Sequence, residues 1–194
     1  MIEYNGMKSE ASGGNVNQLP PGAYVAKVLK VEVNGTVPDQ QLILKVDITE
    51  GEYKDFFMNK FKAASEKGSK YGPVKYKGVY KLRIPNENNK KALYPESDIK
   101  RFNDLIFRFE KSNAGYHWDG DEQKLKGLTV GINMQEDEFN GSKFTRIGRL
   151  EIAQDVQKGL IRAMRPRERK GDAFEPPVDP QTGFTAVETD ELPF

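Results

Sequence analysis

AYVAKVLKVEVN, residues 23–34, changes phase in its middle. Tyr24, Ala26 and Val28 are apolar on even positions, whereas Leu29, Val31 and Val33 are apolar on odd ones. Side chains of an extended chain alternate between two faces. A strand carrying both phases therefore holds an extra residue near Val28 and Leu29, a bulge that bends it and lets it serve two parts of a curved sheet. Simple alternation surrounds this stretch. Leu42, Leu44, Val46 and Ile48 form one half-buried strand, Tyr80, Leu82 and Ile84 a second, and Leu128, Val130, Ile132 and Met134 a third. Phe144, Leu150 and Ile152 give a fifth strand interrupted by Gly148. Ile99, Phe102, Ile106 and Phe109 recur at helical spacing behind Ser97, which suits an N-cap. Residues 153–164 carry a weaker helical pattern.

The order strand, strand, strand, helix, strand, strand, with a bent first strand, predicts a mainly β domain of the five-stranded Greek-key barrel type called the OB-fold. The segment between the second and third strands is too long for a hairpin turn and is expected to be a projecting β-hairpin or an extended loop. Residues 1–18, rich in Gly, Ser and Asn, read as a flexible arm, residues 19–164 as the domain, and residues 165–194, with five of the eleven prolines, as a disordered acidic tail.

The chain has 194 residues, 30 Lys and Arg against 29 Asp and Glu, one histidine and no cysteine. The lack of cysteine removes disulfides, thiolate metal sites and cysteine nucleophiles. Without a long apolar run or a secretory start, a cytoplasmic protein with no membrane partner is expected. The near-neutral charge hides an asymmetry. Residues 171–194 hold six acids and no Lys or Arg, which leaves +7 on the rest. Within residues 54–91, eleven Lys or Arg face three acids.

That basic segment interleaves cations with rings. Lys60, Lys62, Lys67, Lys70, Lys75, Lys77, Lys81 and Arg83 suit the phosphates of a single-stranded nucleic acid, and Tyr71, Tyr76 and Tyr80 suit stacking on its bases. Phe56, Phe57 and Phe61 are read as core. Trp118, in the turn Gly115–Glu122, either packs on the domain or stacks a base. No metal site is expected, because the single His117 has no second histidine and its neighbouring acids lack calcium-loop spacing. Glu136, Asp137 and Glu138 read as a solvated hairpin turn leading to Asn140-Gly141. With no phosphate loop, dinucleotide fingerprint or nucleophile motif, the chain reads as non-catalytic and without a cofactor.

The end of the sequence, Asp190-Glu191-Leu192-Pro193-Phe194, joins acids to an apolar ring and a carboxylate. It suits a partner pocket rimmed by Arg or Lys. This stretch resembles the acidic tip of bacterial single-stranded DNA-binding proteins, usually written Asp-Asp-Asp-Ile-Pro-Phe. The body is more similar to the single-stranded DNA-binding proteins of phages and prophages of Gram-positive bacteria. The matching stretches are Leu19–Tyr24 (LPPGAY), Ile48–Tyr53 (ITEGEY), Gly115–Trp118 with Lys126-Gly127, and Asp179–Phe184 onward. The resemblance implies an OB-fold that coats single strands in phage DNA replication or recombination, with Asp190, Glu191, Leu192, Pro193 and Phe194 docking host or phage replication and repair proteins. The alternatives are a recombination mediator or strand-annealing protein and a metal-dependent nuclease. A homo-oligomer stays open, because a pairing face would be an ordinary apolar strand edge.

Overall fold

The bulge fixes how the sheet is built. β1 (Gly22–Asn34) pairs antiparallel with β2 (Gln41–Ile48), and the register steps from Val28↔Val46 to Lys30↔Lys45, leaving Leu29 as the extra residue. The first half of β1, Gly22 to Lys27, pairs with β4 (Thr129–Phe139) on its other edge. β3 (Val79–Arg83) adds to β2 and β5 (Ser142–Glu151) to β4, giving the antiparallel order β3-β2-β1-β4-β5. The protein is therefore mainly β. The sheet is open, with no ladder joining β3 to β5 among the described residues. The computed structural model describes residues 18–68, 72–86, 95–139 and 142–169.

The apolar phases of the strands meet in one core. Val28, Leu44, Val46, Ile48, Val130 and Ile132 are fully enclosed, and α2 (Pro95–Ser112), between β3 and β4, adds Leu105 and Phe109. Each such side chain contributes roughly 1.5–3 kcal/mol of burial. Leu19 also lies in the core, and its carbonyl accepts a hydrogen bond from Thr145 Oγ1 at 2.8 Å. No helix among the described residues is long and apolar enough to cross a membrane.

Several expectations need correction. The basic segment is neither a hairpin nor an extended loop: it opens with helix α1 (Phe56–Lys67), a run without Gly or Pro. Its apolar residues Phe56, Phe57, Phe61 and Ala64 are diluted by lysines, which hides the helical period. Ser97 lies inside the first turn of α2 rather than capping it, and Ile99 is exposed while Leu105 is buried. The second helix stops early. α3 spans only Ala153–Gln157, and Gly159 turns the chain at φ 69°. Ile152 sits outside β5, at the entry to α3.

Residues 160–165 then run as a strap over β4, where Asn133 Nδ2 donates to the Arg162 carbonyl (3.0 Å) and Gln135 Nε2 to that of Arg165 (2.8 Å). The chain continues into β6 (Arg167–Arg169), which pairs parallel with β4, so folded structure passes the expected boundary at 164. Glu136, Asp137 and Glu138 are not a solvated turn but part of β4. Asp137 is fully buried, and Arg146 across the ladder meets its Oδ2 at 2.8 Å. At Gly148 the β4–β5 register slips by one, which is why Ile147 and Leu150 are both buried. A Cβ there would stand 2.7 Å from Met164 Sδ and 2.9 Å from Gln135 Cβ.

Candidate nucleic-acid interface

α1 is held by a residue of β2. Its own N-cap position, Asp55, is left-handed (φ 58°) and makes no side-chain cap. Asp47 takes that part from ten residues away. Its Oδ1 accepts from the amides of Ile48 (2.9 Å) and Phe57 (3.0 Å), and its Oδ2 from the amide of Met58 (2.9 Å). Phe57 and Met58 are the second and third residues of the helix, whose amides have no intrahelical acceptor and lie at its positive end. Gly78 lets α1 settle close to the sheet, since a Cβ there would strike the Val46 carbonyl and come within 2.7 Å of the Phe57 ring.

Docking α1 this way lines up six rings. Tyr24 meets Tyr53 edge-on at 5.7 Å between centroids, Tyr53 meets Phe56 at 6.2 Å, and Phe56 meets Phe57 at 5.4 Å. Tyr76 continues the row, 6.3 Å from Phe57 and 5.8 Å from Phe61. Phe57 is buried, while Tyr24, Tyr53, Phe56 and Phe61 are half-buried and keep part of their rings in solvent. The Tyr24 hydroxyl donates to the Pro20 carbonyl at 2.9 Å. Burial, and then the neighbouring Tyr53 and Glu52, push this phenol up to about 12.

Lysines frame the row. Between α1 and residues 72–77 lies a groove of about 620 Å³ with a floor of Phe57, Phe61, Ala64, Pro73 and Val74 and a rim of Lys60, Lys67, Lys75 and Lys77. It joins a depression of about 390 Å³, reached past Phe56, Lys60 and Lys77, whose far wall is Met134, Phe144 and Arg146. Lys60 Nζ stands 5.6 Å over the Phe56 ring, a cation–π arrangement. Burial first, and the Lys77 charge second, lower the Lys60 ammonium below the ordinary lysine value. Such a surface offers bases partly exposed rings and offers phosphates four cations.

The residues expected to bind DNA divide among several places. Lys60, Lys67, Lys75 and Lys77 share the groove, and Lys62 is exposed on α1. Tyr76, expected as a stacking ring, is instead built into the fold: its hydroxyl donates to the Val46 carbonyl at 2.9 Å, and burial, with Asp47 nearby, raises its pKa. Tyr80 and Lys81 line a separate cleft between β3 and β5, and burial raises the Tyr80 phenol. Arg83 lies 3.5 Å from Asp98. Trp118 packs edge-on against Phe102 at 5.9 Å, and its backbone amide donates to Glu110 Oε1, so it takes the packing role. Lys70, Tyr71 and the tip Asp190–Phe194 lie outside the described residues. Among the described residues no three His, Asp or Glu side chains converge as a metal-ligand group.

Sequence reasoning overlooked Tyr24 and Tyr53 as ring-row members and favoured the core over stacking for Phe56 and Phe61. Phe56 directly before the core residue Phe57 was an available signal, because neighbours on a helix point in different directions. No family model matches this chain, and a search of curated proteins returns no match.

Proposed function

We propose that this protein binds single-stranded DNA without sequence preference, seating the bases on Tyr24, Tyr53, Phe56 and Phe61 and the backbone on Lys60, Lys67, Lys75 and Lys77. One observation carries the reading: a row of half-exposed rings runs beside an apolar-floored groove rimmed by four lysines. Stacking on such rings contributes about 1–3 kcal/mol per base and tolerates any sequence. A duplex keeps its bases stacked on each other and has no face to offer these rings, so the row favours single strands.

The strand order and the β1 bulge support an OB-type barrel, partly open between β3 and β5. By resemblance, the role is that of a non-catalytic coat in phage DNA replication or recombination within the bacterial cytoplasm. The acidic tip, Asp190 to Phe194, docks replication or repair proteins through its ring and its acids. An electrophoretic shift with labelled single- and double-stranded oligonucleotides tests the reading. Retardation of the single strand at protein concentrations that leave the duplex free is expected. No shift of either, or magnesium-dependent cleavage of the probe, overturns it.

A further inference from the structure

We propose that the arginine-lined cleft between β3 and β5 is a second seat for the same DNA strand, holding consecutive backbone phosphates after the strand leaves the ring row. The proposal rests on the single-strand reading above. The cleft measures about 510 Å³. β3 contributes Tyr80 and Lys81, α2 contributes Arg101 and Arg108, β5 contributes Arg146 and Arg149, and β6 contributes Arg167.

Buried carboxylates grip two of these guanidiniums from behind. Arg146 is held by the fully buried Asp137. Arg149 reaches Glu151 Oε1 with Nε at 2.7 Å and Nη2 at 2.5 Å, and Glu151 is only 4% exposed. Asn133 Nδ2 donates to the same oxygen at 3.3 Å, which fixes the carboxylate in turn. Arg108 stands 3.9 Å from both Asp104 and Glu151.

Ion pairing accounts for only part of the charge gathered in the cleft. Among the side chains described, six cations here face Asp104, Asp137 and Glu151, an excess of three positive charges. Arg101 and Arg167 are both exposed, and the Arg146 and Arg149 side chains remain 37% and 51% exposed. Planar guanidiniums held in position match the paired oxygens of a phosphate. Continuity identifies the phosphates as those of the bound strand: Arg146 lines both this cleft and the depression that Phe56, Lys60 and Phe144 share beside the ring row.

The test uses the full chain, its Arg101→Gln/Arg167→Gln variant, and dT oligonucleotides of about 5 and about 16 nucleotides, the two ends of the usual site-size range. Both arginines are exposed, so the variant is expected to melt like the parent. On the longer oligonucleotide, removing two phosphate contacts should flatten the log–log salt dependence by about 1.4, a sevenfold smaller loss of affinity between about 50 and 200 mM salt. The 5-mer, seated on the rings, should bind the variant and the parent alike. An unchanged slope on the 16-mer while the parent binds it overturns the proposal, as would be seen if an acidic peptide were the cleft's occupant. Equal losses on both lengths also overturn it, because the cleft would then be the first seat. A parent that binds neither oligonucleotide refutes the single-strand reading itself.

Discussion

Replacing Asp47 by Ala strips the acceptor from three amides at once, those of Ile48, Phe57 and Met58. Two of these open α1, and a helix cap is worth about 0.5–2 kcal/mol. This cap is charged and 4% exposed, so each bond belongs with those to ionised groups, about 1.5–3 kcal/mol. The three do not add, because the helix end can loosen and admit water. A net loss of about 3 kcal/mol is expected. With a urea slope of about 2 kcal/mol per molar, the unfolding midpoint falls by about 1.5 M. Asp47→Asn keeps one oxygen but turns an NH2 group toward an amide, so an intermediate loss is expected. Urea denaturation followed by far-UV circular dichroism measures both. Faster hydrogen exchange at Phe57 and Met58 separates local fraying from global loss. Because α1 carries Phe56, Lys60 and Lys67, affinity for a dT oligonucleotide should fall with it. A midpoint shift below about 0.3 M, the size of an ordinary surface substitution, would refute the capping argument.

Gly78→Ala drives a methyl group into the Val46 carbonyl and the Phe57 ring and is expected to cost about 1–3 kcal/mol, read by the same denaturation; an unchanged midpoint contradicts the close approach of α1 to the sheet. Lys60 titrates below the ordinary lysine value of about 10.4, so raising pH through that window removes a phosphate-binding charge; single-strand affinity should fall there in the parent and hold in Lys60→Arg. Stability moves the opposite way: the unfolded chain keeps that proton to higher pH, so the fold gains relative stability as pH rises through the same window. Removing residues 185–194 should tighten DNA binding by freeing the lysine groove from a competing acidic segment and should abolish capture of a tip-binding partner. Capture that survives the truncation assigns docking elsewhere.

The sheet was legible because its signals are local. Period-two runs marked β2, β3 and β4, and the phase change at Val28 and Leu29 located the β1 bulge, since a strand cannot switch faces without an extra residue. Asp47 and Asp137 illustrate the limit. Asp47 occupies a polar slot of an alternating strand and Asp137 reads as part of a solvated turn, so both read as facing solvent; yet each is buried under a partner fixed only by tertiary structure, the α1 amides for one and Arg146 for the other. α1 was missed because lysines interrupt its apolar face and its cap comes from another strand. The lysine groove was half visible, as its four cations fall within 18 residues of one another. The arginine cleft was invisible, because its members come from β5, α2 and β6 and gather only in the folded chain.

The central claim, that the ring row is where a single strand lies, is tested most directly by photocrosslinking. An iododeoxyuridine oligonucleotide is bound to the full chain and irradiated, and the crosslinked peptides are mapped. Crosslinks at Tyr24, Tyr53, Phe56 or Phe61 are expected. A bound oligonucleotide that crosslinks only at Trp118 or along the outer face of α2, and never on the row, would contradict it.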